Sequence, residues 1–229
     1  MSDWNSTLVT ELPRSGGLQR TLVGSTRRVY DAVAAIYPAS TFFFHSRAHK
    51  AALEMSGIRD GMKVLEIATG SGEMFRRLLE VNPSGQTFGL DLSPNMAAKT
   101  QARARQEFHG VGAHCGAVDV RNLPFRAASF DAVMCCFLIE LLCDQDIAAT
   151  LREVRRVLRP GAKFTLVVIG QNRTGFNRAY RIAGGLAPAF WGRQVEKDTE
   201  QYLRAAGLSV TDSRYVQQGF YPSRVLVAG

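Results

Sequence analysis

The chain has 229 residues, of which 46% are hydrophobic and 21% charged, with 28 Lys+Arg against 20 Asp+Glu for a formal net charge of +8. This suits one globular domain with a sizeable core and excludes a disordered, collagen-like or disulfide-framework chain. Cys115, Cys135, Cys136 and Cys143 include an adjacent pair and lack the two-plus-two spacing of a structural zinc site, so reduced core thiols in a cytosolic protein are expected.

The start of the chain carries Asp3 and Glu11 among polar residues, without a basic start, an apolar stretch and a small-residue cleavage site, so no export signal is expected. Before Val64 the patterns are helical, one near residues 18–37 and another near 47–55. Across these two patterns run Tyr30, Asp31, Ala34 and Tyr37, then three phenylalanines, His45, Arg47, His49 and Lys50. His45 and His49 are four residues apart and share a helix face, but no third ligand cluster accompanies them and no metal is expected.

From Val64 onward, short apolar runs at 64–68, 87–92, 113–118, 130–137 and 164–169 alternate with helical patterns. That alternation predicts an α/β domain with a parallel sheet covered by helices. Phe75, Leu78 and Leu79 form one amphipathic stripe; Ile147, Leu151, Val154 and Leu158 form another, with Asp144 expected to cap its start and Pro160-Gly161 to stop it. The most apolar run, 132–143, is interrupted by Glu140 and is shorter than the ~18 residues of a membrane span. Residues 196–206 read as a helix, and 208–217 and 221–228 as a final strand pair around Gly219. No internal repeat or linker divides the chain. The expected layout is a helical substrate or lid segment at 1–60, a binding core at 61–170 and a basic-aromatic segment at 171–195.

The run V-L-E-I-A-T-G-S-G-E-M places Gly70 and Gly72 in a turn between a buried strand and a helix, where backbone and free N–H groups can approach a ligand. The next strand ends at Asp91, 19 residues after Gly72, where a carboxylate can accept from a ribose diol. Asp119 closes the following strand, where an acid can accept from an adenine amino group while the Val120 N–H donates to the ring. Leu92 and Met96 would flank the base with apolar surface.

In order, E-I-A-T-G-S-G, G-L-D-L-S, V-D-V-R-N-L-P-F, S-F-D-A-V and E-V-R-R-V-L-R-P-G-A resemble the motifs of class I S-adenosylmethionine-dependent methyltransferases, over roughly residues 60–170. The resemblance implies a Rossmann-like seven-stranded, mostly parallel sheet ending in an antiparallel hairpin, with S-adenosyl-L-methionine lying across the C-terminal strand ends. It assigns Glu66 to the methionine amino end, Gly70 and Gly72 to the turn, Asp91 to the ribose and Asp119 to the adenine side. Ala68 stands where the family usually has its first glycine. A nicotinamide-dependent oxidoreductase also uses a glycine turn and a ribose acid, but the L-P-F, S-F-D and E-V-R-R-V-L-R-P-G blocks are methyltransferase-like and no Tyr-x-x-x-Lys pair is present. Glu153 and Arg156 in the last block are read as structural charges.

The Y-D-x-x-A-x-x-Y pattern from Tyr30 to Tyr37 resembles the N-terminal segment of the subgroup containing ubiquinone/menaquinone C-methyltransferases and bacterial phospholipid N-methyltransferases. This makes Tyr30 and Tyr37 candidates for polarising or positioning the acceptor, with core-packing aromatics as the alternative. His45 is a candidate base or a partly buried hydrogen-bonding residue. Glu140 is either a carboxylate that holds a cationic acceptor or takes a proton, or a glutamate on a helix surface. Arg173, Arg178, Arg181 and Arg193, interleaved with Phe176, Tyr180, Phe190 and Trp191, can rest on an anionic membrane surface or form a solvated face. Nucleic acid is not expected, in the absence of an N-P-P-Y tetrad or an RNA-binding module. The expected acceptor is therefore a phospholipid amine head group, methylated by a cytoplasmic, peripherally associating enzyme. A quinone precursor or another small hydrophobic molecule is the alternative substrate, and a non-catalytic lipid-binding protein the alternative class.

Overall fold

The computed structural model describes residues 37–170, 198–219 and 221–229, with side chains from residue 46 onward. Its strands are β1 (Lys63–Ile67), β2 (Gln86–Asp91), β3 (Gly112–Ala117), β4 (Phe130–Cys136), β5 (Leu158–Ile169), β6 (Val210–Gln218) and β7 (Tyr221–Ala228). The helices are α1 (Tyr37–Ser56), α2 (Glu73–Val81), α3 (Pro94–Glu107), α4 (Asp144–Val157) and α5 (Thr199–Ala205), with a 3₁₀ turn at Ile139–Leu141. The strands form one sheet in the order β3-β2-β1-β4-β5-β7-β6. Strands β1 to β5 run parallel, and β7 lies antiparallel to both β5 and β6. This is the doubly wound sheet with a terminal hairpin that the motif order implied.

Register places the functional edge. Ile67 pairs with Leu90 on one side and Cys135 on the other, and Asp91 with Ala117, so the ends of β1 to β4 emerge side by side. The strand order reverses at β1 and β4, the place where open α/β sheets receive ligands. Strands β1 to β4 each end one residue earlier than the apolar runs suggest, β1 and β4 because Ala68 and Phe137 leave them with φ of 60° and 56°. Both therefore belong to the loops over that edge.

One face of the sheet packs against α4 through a cluster in which Phe88, Phe125 and Phe130 meet edge to face, Phe125 and Phe130 with centroids 4.8 Å apart. The other face is covered by α1 and α2, where Ala48, Ala51 and Ala52 let α1 lie close against Val64, Met134 and Val225. The pattern at 47–55 is thus the second half of a 20-residue helix. Pro38 lies in its first turn, where the missing N–H removes no helical hydrogen bond.

Helix α4 corrects two expectations. Cys143 occupies the position before it with no side-chain cap, and Asp144 is its first residue. The helix stops at Val157, since Leu158 is already extended, and Pro160-Gly161 lies within β5. Glu153 and Arg156 do act structurally: Glu153 accepts from the Leu123 N–H at 2.7 Å, and Arg156 donates to the Phe125 and Leu123 carbonyls at 2.6 and 3.0 Å. They staple the 119–125 loop to α4. All four cysteines are free, but only Cys135 is buried and Cys143 is exposed, so they are not uniformly core thiols. Among the described residues no helix is long and apolar enough to cross a membrane, and no group of three potential metal ligands occurs.

Candidate cofactor and acceptor site

Loop 68–72 leaves the centre of the sheet edge with Ala68, Gly70 and Gly72 in the left-handed region, at φ of 60°, 51° and 76°. The Thr69 N–H donates to the Leu90 carbonyl at 3.0 Å and the Gly72 N–H to the Thr69 carbonyl at 2.8 Å, folding the loop back over β2. A Cβ on Gly72 would lie 2.8 Å from Thr100 Oγ1 of α3, so the close approach of two helices also demands glycine there. No side chain caps the start of α2, which leaves its first N–H groups for other acceptors.

Asp91, at the tip of β2, organises this loop. Its Oδ2 accepts from the Gly70 N–H at 2.8 Å and its Oδ1 from the Ser93 N–H at 2.9 Å, while its carbonyl accepts from the Val118 N–H at 2.8 Å. The expected ribose acid, glycine turn and third motif are therefore contiguous. Leu92 beside it is one of two exposed large hydrophobic side chains among the described residues, 36% exposed, and offers an apolar face. Met96 is buried under the Ser93 cap of α3, and the Val120 side chain belongs to the core. Of these two, only the Val120 backbone remains a candidate contact in this conformation.

Glu66 projects from β1 into the interior, 1% exposed, and its Oε2 has no hydrogen-bond partner. Burial, reinforced by the nearby Asp91 charge, pushes its carboxyl well above the usual carboxylate range. A buried acid short of a donor, next to a ribose-type acid and a glycine loop, suits a ligand that carries a diol and an ammonium. The residues present fit an S-adenosylmethionine-type cofactor.

Asp119 follows β3 but is not a lone acid. Its Oδ1 accepts from the Arg121 main-chain N–H at 3.0 Å and from Arg121 Nε at 2.9 Å, and its Oδ2 from Arg121 Nη2 at 2.6 Å. Burial raises this carboxyl, but the bonds and charge of Arg121 outweigh it and hold the group below its ordinary value. Sequence reasoning missed Arg121; the D-x-R spacing across a turn was the available signal.

Glu140 is not on a helix surface. It sits in the 3₁₀ turn after β4, 2% exposed, with Oε1 accepting from the Ile169 N–H at 2.7 Å and Oε2 unpartnered. Burial pushes its carboxyl up to about 7, against a smaller lowering by the Ile169 N–H. Near the same edge, buried His49 of α1 lies 6.1 Å from the Phe137 ring. Burial, then the Arg77 charge, lowers its imidazole to about 3, so it is neutral. Tyr37 begins α1 and His45 lies within it, but their side chains fall outside the described residues, as do Tyr30 and Arg173, Arg178, Arg181 and Arg193.

Residues 64–161 match the family model of a methyltransferase domain. The ubiquinone/menaquinone biosynthesis C-methyltransferase UbiE of Hahella chejuensis (strain KCTC 2396) is 29% identical over 181 residues, 76% of this chain and 72% of that protein. The 2-phytyl-1,4-naphtoquinone methyltransferase of Trichormus variabilis (strain ATCC 29413 / PCC 7937) is 27% identical over 151 residues, 64% of this chain and 65% of the other. Among solved structures, the Burkholderia thailandensis 1,6-didemethyltoxoflavin-N1-methyltransferase with bound 1,6-didemethyltoxoflavin and S-adenosylhomocysteine superposes with a TM-score of 0.67 at 18% identity, covering 96% of this chain and 92% of that one.

Proposed function

The chain being a class I S-adenosylmethionine-dependent methyltransferase, we propose that its acceptor is a quinone precursor in the reduced, phenolic form, methylated on a ring carbon. The observation that carries this reading is Glu140. An amine needs only to shed a proton before attack, whereas a ring carbon attacks from an electron-rich phenolic ring and must afterwards give up its ring hydrogen to restore aromaticity, so a positioned base matters more for carbon. Glu140 offers a buried carboxyl poised at about 7 with one oxygen free, at the sheet edge that also carries the glycine loop. Relatives named for quinone methylation support the same substrate class. The phospholipid head group is set aside: of its two supports, residues 173–193 lie outside the described residues, and the subgroup resemblance is shared with quinone methylation, which the relatives' names favour.

When bound, S-adenosylmethionine supplies an electrophilic methyl group. Asp91, with Gly70 and Gly72, holds its ribose; Asp119 and the Val120 N–H read its adenine beside Leu92; and Glu66 receives the amino end. Glu140 Oε2 takes the proton released by the acceptor while Oε1 stays anchored on Ile169. Tyr30 and Tyr37 are the candidates for positioning the acceptor and His45 a further candidate base, on sequence grounds alone, since these side chains lie outside the described residues.

Purified protein is incubated with methyl-labelled cofactor and, separately, a reduced naphthoquinone, phosphatidylethanolamine vesicles or RNA. Label is expected in the quinol, and label only in the vesicles or RNA overturns the assignment. With the quinol, kcat/KM should rise with pH through an apparent pKa near 7 as Glu140 ionises. Glu140→Gln should lose about 100-fold in kcat, in the range of one acid–base group, while cofactor affinity is retained.

A further inference from the structure

We propose that Arg121 is a positioning residue that fixes Asp119 so that the pocket distinguishes an adenine amino group from a ring carbonyl at the same position. The inference rests on the assignment of Asp119 to the adenine side. The main chain at Asp119 is set by the Val118 bond to Asp91 and by the Asn122 N–H donating to the Asp119 carbonyl at 3.0 Å. The side chain, 34% exposed, would be free to turn without Arg121. One edge of the guanidinium forks onto both carboxylate oxygens, and Nη1 on the other side reaches Asp146 Oδ1 in the first turn of α4 at 2.8 Å. The carboxylate is thereby braced against a helix.

Counting donors shows what is left for a ligand. Oδ1 takes the Arg121 main-chain N–H and Nε, which occupies both of its lone pairs. The single Nε proton goes to Oδ1 at 2.9 Å rather than Oδ2 at 3.1 Å, so Oδ2 holds only Nη2 at 2.6 Å and keeps one acceptor direction. A single, directed, ionised acceptor attracts an N–H donor and repels a carbonyl oxygen. Asp119 is also the most exposed of the three, at 34% against 17% for Arg121 and 18% for Asp146, so the open end of the chain is the acid. Tethering the loop does not require Arg121, because Glu153 and Arg156 already fasten it to α4 at Leu123 and Phe125.

The full chain is titrated with S-adenosylhomocysteine and with its inosine counterpart, in which a carbonyl replaces the amino group. The wild type should prefer the adenine form by about tenfold or more, since a charged acceptor facing a carbonyl forfeits at least one hydrogen bond. Arg121→Ala should reduce that ratio to about two or three, with a smaller change in the affinity for S-adenosylhomocysteine itself. Arg121→Lys should fall between, because an ammonium keeps the charge but not the fork. Asp146→Ala, which leaves Asp119 and its partner intact, should lower the ratio in the same direction and serves if the Arg121 variants fold poorly. A wild-type ratio in Arg121→Ala alongside a lost ratio in Asp119→Ala overturns the role of Arg121. A wild-type ratio in Asp119→Ala as well overturns the adenine assignment beneath it.

Discussion

Ala68 leaves β1 with φ of 60°, a conformation in which an L side chain crowds the following carbonyl, at a position where the resembling family usually carries glycine. The left-handed region costs a non-glycine residue roughly 1–2 kcal/mol, and glycine gives back about 0.5–1 kcal/mol through its freer unfolded chain. Ala68→Gly is therefore expected to stabilise the protein by about 0.5–1 kcal/mol, read as a higher urea midpoint at unchanged slope; a lower midpoint would mean that the methyl group packs usefully. Residues that carry motif chemistry were legible at this scale because their spacing encodes it: the turn glycines lie over β2, and Asp91 holds one of them. What could not be read was pairing between side chains. The D-x-R spacing hints at the pairing of Asp119 with Arg121, but nothing in the sequence reveals that Asp146, 25 residues beyond Arg121, joins them, and Glu140 resembled a surface residue until the 3₁₀ turn folded it under β5.

Elements were legible wherever apolar periodicity ran uninterrupted, and their ends were displaced wherever backbone geometry decided. Ala68 and Phe137 terminate β1 and β4 through positive φ, which hydropathy does not report, and α4 yields to β5 at Leu158 before its proline is reached. Strand β3 raises a different question, because its composition, G-A-H-C-G-A, is poor in strand formers and it lies at the rim of the sheet. Its protection comes from α3: Gln101 donates to the Ala113 carbonyl at 3.3 Å and accepts from the Cys115 N–H at 2.6 Å, in the manner of a further strand. Gln101→Ala should remove about 1–2 kcal/mol of stability through these two bonds and leave an open edge prone to pairing with other chains. Denaturant melts and light scattering during storage test both effects. Stability and scattering equal to the wild type would show that the edge is guarded by something else.

Over the whole molecule, a basic chain gathers acids where its parallel strands end. The formal charge is +8, yet Glu66, Asp91, Asp119 and Glu140 converge on one rim, and two of them are held above the ordinary carboxylate range by burial. Groups raised in the folded chain favour the fold at low pH and withdraw stability as pH climbs from the unfolded carboxylate value through the folded one. Binding of a cation beside Glu66 reverses that balance: an acid still protonated in the free protein must ionise to pair with an ammonium, so uptake of S-adenosylmethionine below the pH at which free Glu66 titrates should release up to one proton. Affinity should then strengthen as pH rises through the window in which free Glu66 titrates, above the usual carboxylate range. Calorimetry in two buffers of different ionisation enthalpy, phosphate and Tris, measures the release as a difference in observed heat. Glu66→Gln should bind more weakly and give the same heat in both buffers. Heats independent of buffer in the wild type would place the amino group of the cofactor away from Glu66, and would leave that buried acid as a cost of the fold with no ligand to relieve it.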